Sequence, residues 1–174
     1  MLKVAVIFAD GTEEIEAITP ADVLKRAGIG CDIVSVSGNY PTGSHNITVK
    51  ADCLAENFDM RDYDGIVIPG GMPGAVNISE NKKVLEALKY AFENGKLVAS
   101  ICASPAVVLA KNGFIKGKRA TCYPAANFLS LMKDTQYTAE DVTIDSSLIT
   151  ANGPRAAMKF ATAICEYFRL SPKF

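Results

Sequence analysis

The chain has 174 residues, 49% of them apolar, with 18 basic against 19 acidic side chains and a formal net charge of -1. That length fits one domain of ordinary size, spanning 1–174, and the apolar fraction supplies a sizeable core. No basic run stands out and no apolar stretch approaches the roughly 20 residues that cross a bilayer, which argues against nucleic acid and membrane as partners.

"KVAVIFA" (3–9) is continuous, apolar and rich in β-branched residues, the pattern of a strand buried on both faces. It lacks a small-residue cleavage site and runs straight into an acidic helix start, so it reads as a first strand and not as a secretory signal. A helix is predicted from about Thr12 to Ala27, stopped by Gly28. "CDIVSVS" (31–37) reads as a second strand, and "ITVKAD" (47–52) alternates like a more exposed one. "DGIVIPGG" (64–71) is a buried strand ending in a glycine corner. "ENKKVLEALKYAFENG" (80–95) is an amphipathic helix closed by Gly95. "KLVASI" (96–101) reads as a strand and Pro105 to Lys111 as a helix. "KRATC" (118–122) precedes a helical "PAANFLSLMK" (124–133). "VTIDSSLITA" (142–151) reads as a β-hairpin around Asp145-Ser146, and a final helix runs over 154–170 with Pro154 in its first turn. Strand and helix alternate along most of the chain, the signature of an α/β sandwich with a mostly parallel sheet.

Active sites of such folds lie beyond the carboxyl ends of the strands. Three strands end suggestively: Ala9-Asp10-Gly11, Pro69-Gly70-Gly71 and Ile101-Cys102. Cys102 sits where a strand meets a helix, with the small Ser100 and Ser104 two residues to either side. That spacing suits a nucleophile elbow, whose strained turn admits only small neighbours. A helix start behind the cysteine favours thiolate, and the N–H groups of Ala103 and Gly71 are placed to receive an oxyanion. A buried core cysteine is the competing interpretation. In "DGTEEIEAITPADV" (10–23), Glu13 and Glu14 read as charges complementing the helix dipole. Glu16 differs: it shares a helix face with Ala17 and Pro20, toward the sheet. A carboxyl buried beside a thiol has a raised pKa and can pass a proton.

The five cysteines are odd in number and scattered, which suits a reducing, cytoplasmic location better than a disulfide framework. Cys165 falls on the apolar face of the last helix and Cys31 opens a strand; both read as structural. Cys122 reads as a strand-end residue with a resolving thiol as the alternative, and Cys53 as an edge residue with an interfacial role as the alternative. No CxxC or Cys/His cluster is present, so neither a metal nor an organic cofactor is expected.

Four stretches, "GTEEIEAITPADVLKRAGI", "IVIPGGMPGAVNISE", "VASICASPAVVLA" and "NGPRAAMKFA", resemble the signature blocks of the ThiJ/PfpI superfamily in its DJ-one-like and YajL-like branch. The resemblance runs from Met1 to about Leu170. It implies a flavodoxin-like three-layer sandwich, a homodimer, a reactive Cys102, a protonated Glu16 hydrogen-bonded to it, and oxyanion-binding amides at Gly71 and Ala103. It also implies a glyoxalase-like or deglycase-like activity on small reactive carbonyls such as methylglyoxal, without glutathione. A redox sensor or chaperone working through oxidation of Cys102 is the alternative.

The chain departs from the family in places. Tyr123 stands in "TCYP" where relatives carry a histidine, and Ala103 stands where the protease-like branch has one. His45, the only histidine, aligns with a basic residue that helps anchor the dimer in relatives. No general base of the usual kind is therefore expected beside Cys102, which argues against a peptidase. Arg155 and Lys159 replace a residue that is commonly Gly and one that is commonly Glu.

Overall fold

The computed structural model describes all 174 residues. Its centre is a seven-stranded sheet in the order β3-β2-β1-β4-β5-β9-β8. The strands are β1 (Lys3–Phe8), β2 (Gly30–Ser35), β3 (Cys53–Leu54), β4 (Gly65–Ile68), β5 (Leu97–Ile101), β8 (Val142–Asp145) and β9 (Leu148–Ala151). Every pairing is parallel except β8 with β9, the predicted hairpin. A separate parallel pair joins β6 (Arg119–Ala120) to β7 (Gln136–Tyr137).

Side-chain alternation along β1 explains the three layers. Val4, Val6 and Phe8 point to one face, where α1 (Glu14–Arg26) and α5 (Ala157–Tyr167) pack through Ala17, Leu24, Phe160 and Ile164. Ala5, Ile7 and Ala9 point to the other, which takes Ile78 of α2 (Gly74–Glu80), Val84 and Leu88 of α3 (Lys82–Glu93), and Val108 and Leu109. Burial on both faces is why this strand carries no polar alternation. No helix is long and apolar enough to cross a membrane.

Four segments differ from expectation. Residues 47–52 form no strand; a lone bridge links Thr42 to Thr48. The turn between them folds over the start of α1, where Glu14, only 5% exposed, accepts the N–H groups of His45 at 2.8 Å and Ile47 at 3.2 Å. Glu14 is thus a buried anchor for this loop and not a solvated dipole charge. Residues 74–80 form the unpredicted α2, separated from α3 by Asn81, whose side chain accepts the Val84 N–H and so starts α3 afresh. Pro105–Ala110 winds as a π-type helix, with Lys111 N–H donating to Ala106 C=O. The 124–133 segment shortens to α4 (Ala126–Leu129) and a 3-10 turn over Ser130–Met132.

Candidate functional site

The strands β1, β4 and β5 are neighbours, so their three suggestive carboxyl ends meet in one place. β5 delivers Cys102 on a sharp turn with φ +65°, a left-handed conformation that costs a non-glycine residue about 1–3 kcal/mol. Both of its backbone groups are held: Cys102 N–H donates to Ala151 C=O at 2.9 Å, and its C=O accepts Tyr123 N–H at 2.8 Å. Ser100 and Ser104 are fully buried, and Ser104 Oγ donates to Pro69 C=O at 2.6 Å, pinning the elbow to the loop after β4. Spacing along the chain accounts for the small size of Ser104 but not for its hydroxyl, whose partner lies 35 positions away and has no local signal.

Glu16 comes from the first turn of α1 and is completely buried. Its Oε2 accepts the Gly70 N–H at 2.9 Å, while Oε1 has no hydrogen-bond partner. The Cys102 thiol is the group that faces this carboxyl. Burial is the largest influence on Glu16 and lifts its pKa from 4.5 to about 7, against the lowering effects of Cys102 and the Gly70 amide.

The cysteine itself departs from the expected bias toward thiolate. Burial, then the charge of Glu16 and the hydrogen bond with it, push the thiol well up; the Ala103 and Gly71 amides pull the other way and lose. The two groups therefore compete for one proton. An ionised Glu16 holds the thiol protonated. A protonated Glu16 removes the repulsion, donates toward sulfur, and leaves the two amides to stabilise a thiolate.

The corner Pro69-Gly70-Gly71 has to be glycine for reasons of space. A Cβ on Gly70 would stand 2.6 Å from Glu16 Oε2, 2.7 Å from Cys102 Cβ and 3.0 Å from Ile101 C=O. Gly71 has φ +90°, and a Cβ there would meet Glu13 N at 2.2 Å. Gly70→Ala is expected to destabilise the fold by about 1–3 kcal/mol and to push Glu16 away from Cys102. A thermal melt and a thiol-alkylation rate check this; an unchanged rate contradicts the account.

Tyr123 lies beside Cys102 through its backbone, with its ring edge-on to Phe128 and 45% exposed. His45 Nδ1 lies 3.1 Å from Glu14 Oε2 and 3.3 Å from Glu13 Oε1, so the only imidazole is engaged away from Cys102 and no Cys–His dyad forms. Glu13, Glu14 and His45 bring three ligand atoms within 4.8 Å, yet the oxygens of Glu14 are filled by the loop it anchors. Cys31, Cys122 and Cys165 are buried. Cys122 packs in the core on the opposite face of the sheet from the one Cys102 adjoins, which places it badly for a resolving thiol. Cys53 is partly exposed on the edge strand β3.

A parallel sheet between two helical layers, with a strained cysteine beyond β5 and a buried carboxyl beside it, defines a flavodoxin-like cysteine-elbow protein. The DJ-1/PfpI family pattern matches residues 2–167, and the chain belongs to that family. It is 37% identical to the Arabidopsis thaliana protein DJ-1 homolog B over 167 residues, which is 95% of this chain and 38% of that one. A Pyrococcus abyssi deglycase is 30% identical over 154 residues, 88% of this chain and 91% of that protein. The solved structure of oxidized Toxoplasma gondii DJ-1 superposes with a TM-score of 0.92 at 36% identity, covering 97% of this chain and 91% of that one. The chain thus spans about two fifths of the plant relative's length and nearly all of the other two.

Proposed function

We propose that this protein is a glutathione-independent, glyoxalase-like or deglycase-like enzyme acting on small reactive carbonyls, with methylglyoxal as the simplest case. The observation that carries this reading is the fully buried Glu16 carboxyl set against Cys102, with the Gly71 and Ala103 amides at the sulfur. The Cys102 thiolate adds to the aldehyde carbon, and the carbonyl oxygen takes a proton to give a hemithioacetal. The Gly71 and Ala103 N–H groups stabilise the oxyanion before protonation. A base takes the C1 hydrogen as a proton, an acid returns a proton to C2, and the C1 hydroxyl proton passes to the C2 oxygen, so the aldehyde carbon is oxidised to a thioester while the ketone is reduced to an alcohol. Glu16 performs both transfers, since a pKa of about 7 lets it accept and donate near neutrality. Water then hydrolyses the thioester, releasing lactate and the thiol. No external oxidant or cofactor enters this balance. The similarity to a deglycase supports the reading.

A second reading is favoured by one observation, the oxidized form of the Toxoplasma gondii relative. Cys102 is partly exposed, and two peroxide equivalents would convert its thiolate to a sulfinate and two waters. The same amides and the Glu16 carboxyl would then hold the sulfinate oxygens, as suits a redox sensor. Incubating reduced protein with excess methylglyoxal and no glutathione separates the two. The enzyme reading expects many lactates per thiol. At most one carbonyl consumed per thiol overturns it, and peroxide titration with intact mass then tests the sensor.

A further inference from the structure

A cavity of about 400 Å³ opens beside the elbow, lined by Tyr123, Pro124, Asn152, Gly153, Pro154 and Arg155. Both of its walls are fastened to Cys102. One begins at Tyr123, whose N–H meets the Cys102 carbonyl; the other begins one residue after Ala151, whose carbonyl takes the Cys102 N–H. The guanidinium of Arg155 is exposed and has no ion pair and no hydrogen bond to any side chain or backbone group. The carboxylate fastened to the cavity wall at Asn152 is already taken. Asp141 pairs with Lys159 at 3.4 Å and accepts Asn152 Nδ2 at 3.2 Å. The cavity mouth therefore carries one uncompensated positive charge with five N–H donors, a fork suited to a carboxylate.

We propose that Arg155 is a specificity-determining residue that selects α-oxoaldehydes bearing a carboxylate on the carbon chain beyond the ketone. The proposal rests on the α-oxoaldehyde reading above. The aldehyde reaches Cys102, the chain lies in the cavity, and the carboxylate meets Arg155. The chemistry is that already written: sulfur adds to the aldehyde carbon, the internal redox step follows, and water releases a 2-hydroxy diacid. An apolar cavity with no cation would instead leave a carboxylate desolvated and unpaired.

The test compares 4,5-dioxopentanoate with methylglyoxal in wild type, Arg155→Ala, Arg155→Glu and the remote control Lys173→Ala. The ratio of kcat/KM for the carboxylated over the neutral substrate is expected to fall about fivefold or more in Arg155→Ala, and further in Arg155→Glu, mainly through KM. Lys173→Ala leaves the ratio unchanged. A ratio that does not move in Arg155→Ala overturns the proposal. A second readout does not depend on turnover: the rate of Cys102 alkylation by iodoacetate relative to iodoacetamide. It is expected to fall by severalfold in Arg155→Ala, and by less when salt screens the charge. If neither oxoaldehyde is turned over, the activity reading fails, and this alkylation ratio still decides whether Arg155 recruits an anion to Cys102.

Discussion

Replacing Cys102 with alanine is expected to abolish turnover of methylglyoxal to the level of buffer while leaving the fold intact. Every covalent step of the proposed reaction passes through its sulfur, and Cys122 lies in the opposite core. Residual catalysis from the Gly71 and Ala103 amides alone has no nucleophile to act on. A companion variant separates the backbone from the chemistry. Cys102 holds φ +65°, which an alanine also finds strained and a glycine does not. Cys102→Gly is therefore expected to be equally inactive and to be more stable than Cys102→Ala by about 1 kcal/mol in denaturant unfolding. Measurable steady turnover by either variant would remove Cys102 from the mechanism. A Cys102→Ala protein that melts above Cys102→Gly would remove the strain.

Glu16→Gln has the second-largest expected effect, because it retains the shape of the side chain and discards its proton. Activity is expected to fall by about a hundredfold or more, the usual range for a lost general acid–base. The pH profile of Cys102 alkylation distinguishes this from mere loss of packing. In the wild type Glu16 ionises near pH 7, and its charge and hydrogen bond then hold the Cys102 thiol protonated to higher pH. Without the carboxyl that repulsion is gone and burial alone opposes ionisation, so the midpoint moves downward. A midpoint in Glu16→Gln that matches the wild type would mean that the carboxyl does not govern the thiol.

The same substitution carries a stability signature. Glu16 has its folded pKa raised from 4.5 to about 7, so its contribution is fully present below pH 4.5 and is lost as pH rises through about 7. That rise corresponds to about 3 kcal/mol, spent on burying the ionised form. Urea unfolding at pH 5 and pH 8 is expected to show wild-type stability falling relative to Glu16→Gln. Parallel behaviour of the two proteins across that range would contradict a buried, ionising carboxyl. The site is thus held in a state that costs stability at neutral pH.

Much of this arrangement was legible in the sequence, for identifiable reasons. The continuous apolar runs of β1, β4 and β5 dictated buried parallel strands, because a strand covered on both faces has no use for polar alternation. The position of Glu16 on the apolar face of α1 followed from helical periodicity, and the elbow from the small residues at 100 and 104. The short alternating stretch 47–52 misled, since alternation marks a strand only where a neighbouring edge exists to pair with it. The loop containing His45 found the carboxylate of Glu14 instead, a contact 31 positions away.

The sequence alone determined the fold class and named the candidate pair, because periodicity and chain order are local properties. Tertiary structure decided everything that depends on distance through space. It decided that Glu14 serves a loop and Glu16 a thiol, although only Ile15 separates them. It decided that burial, and not the following helix, governs the Cys102 thiol. It also decided that Arg155 has no partner while Lys159, one helical turn on, has Asp141. Each of these turns on desolvation and on which opposite charge lies within reach, and neither is encoded in spacing along the chain.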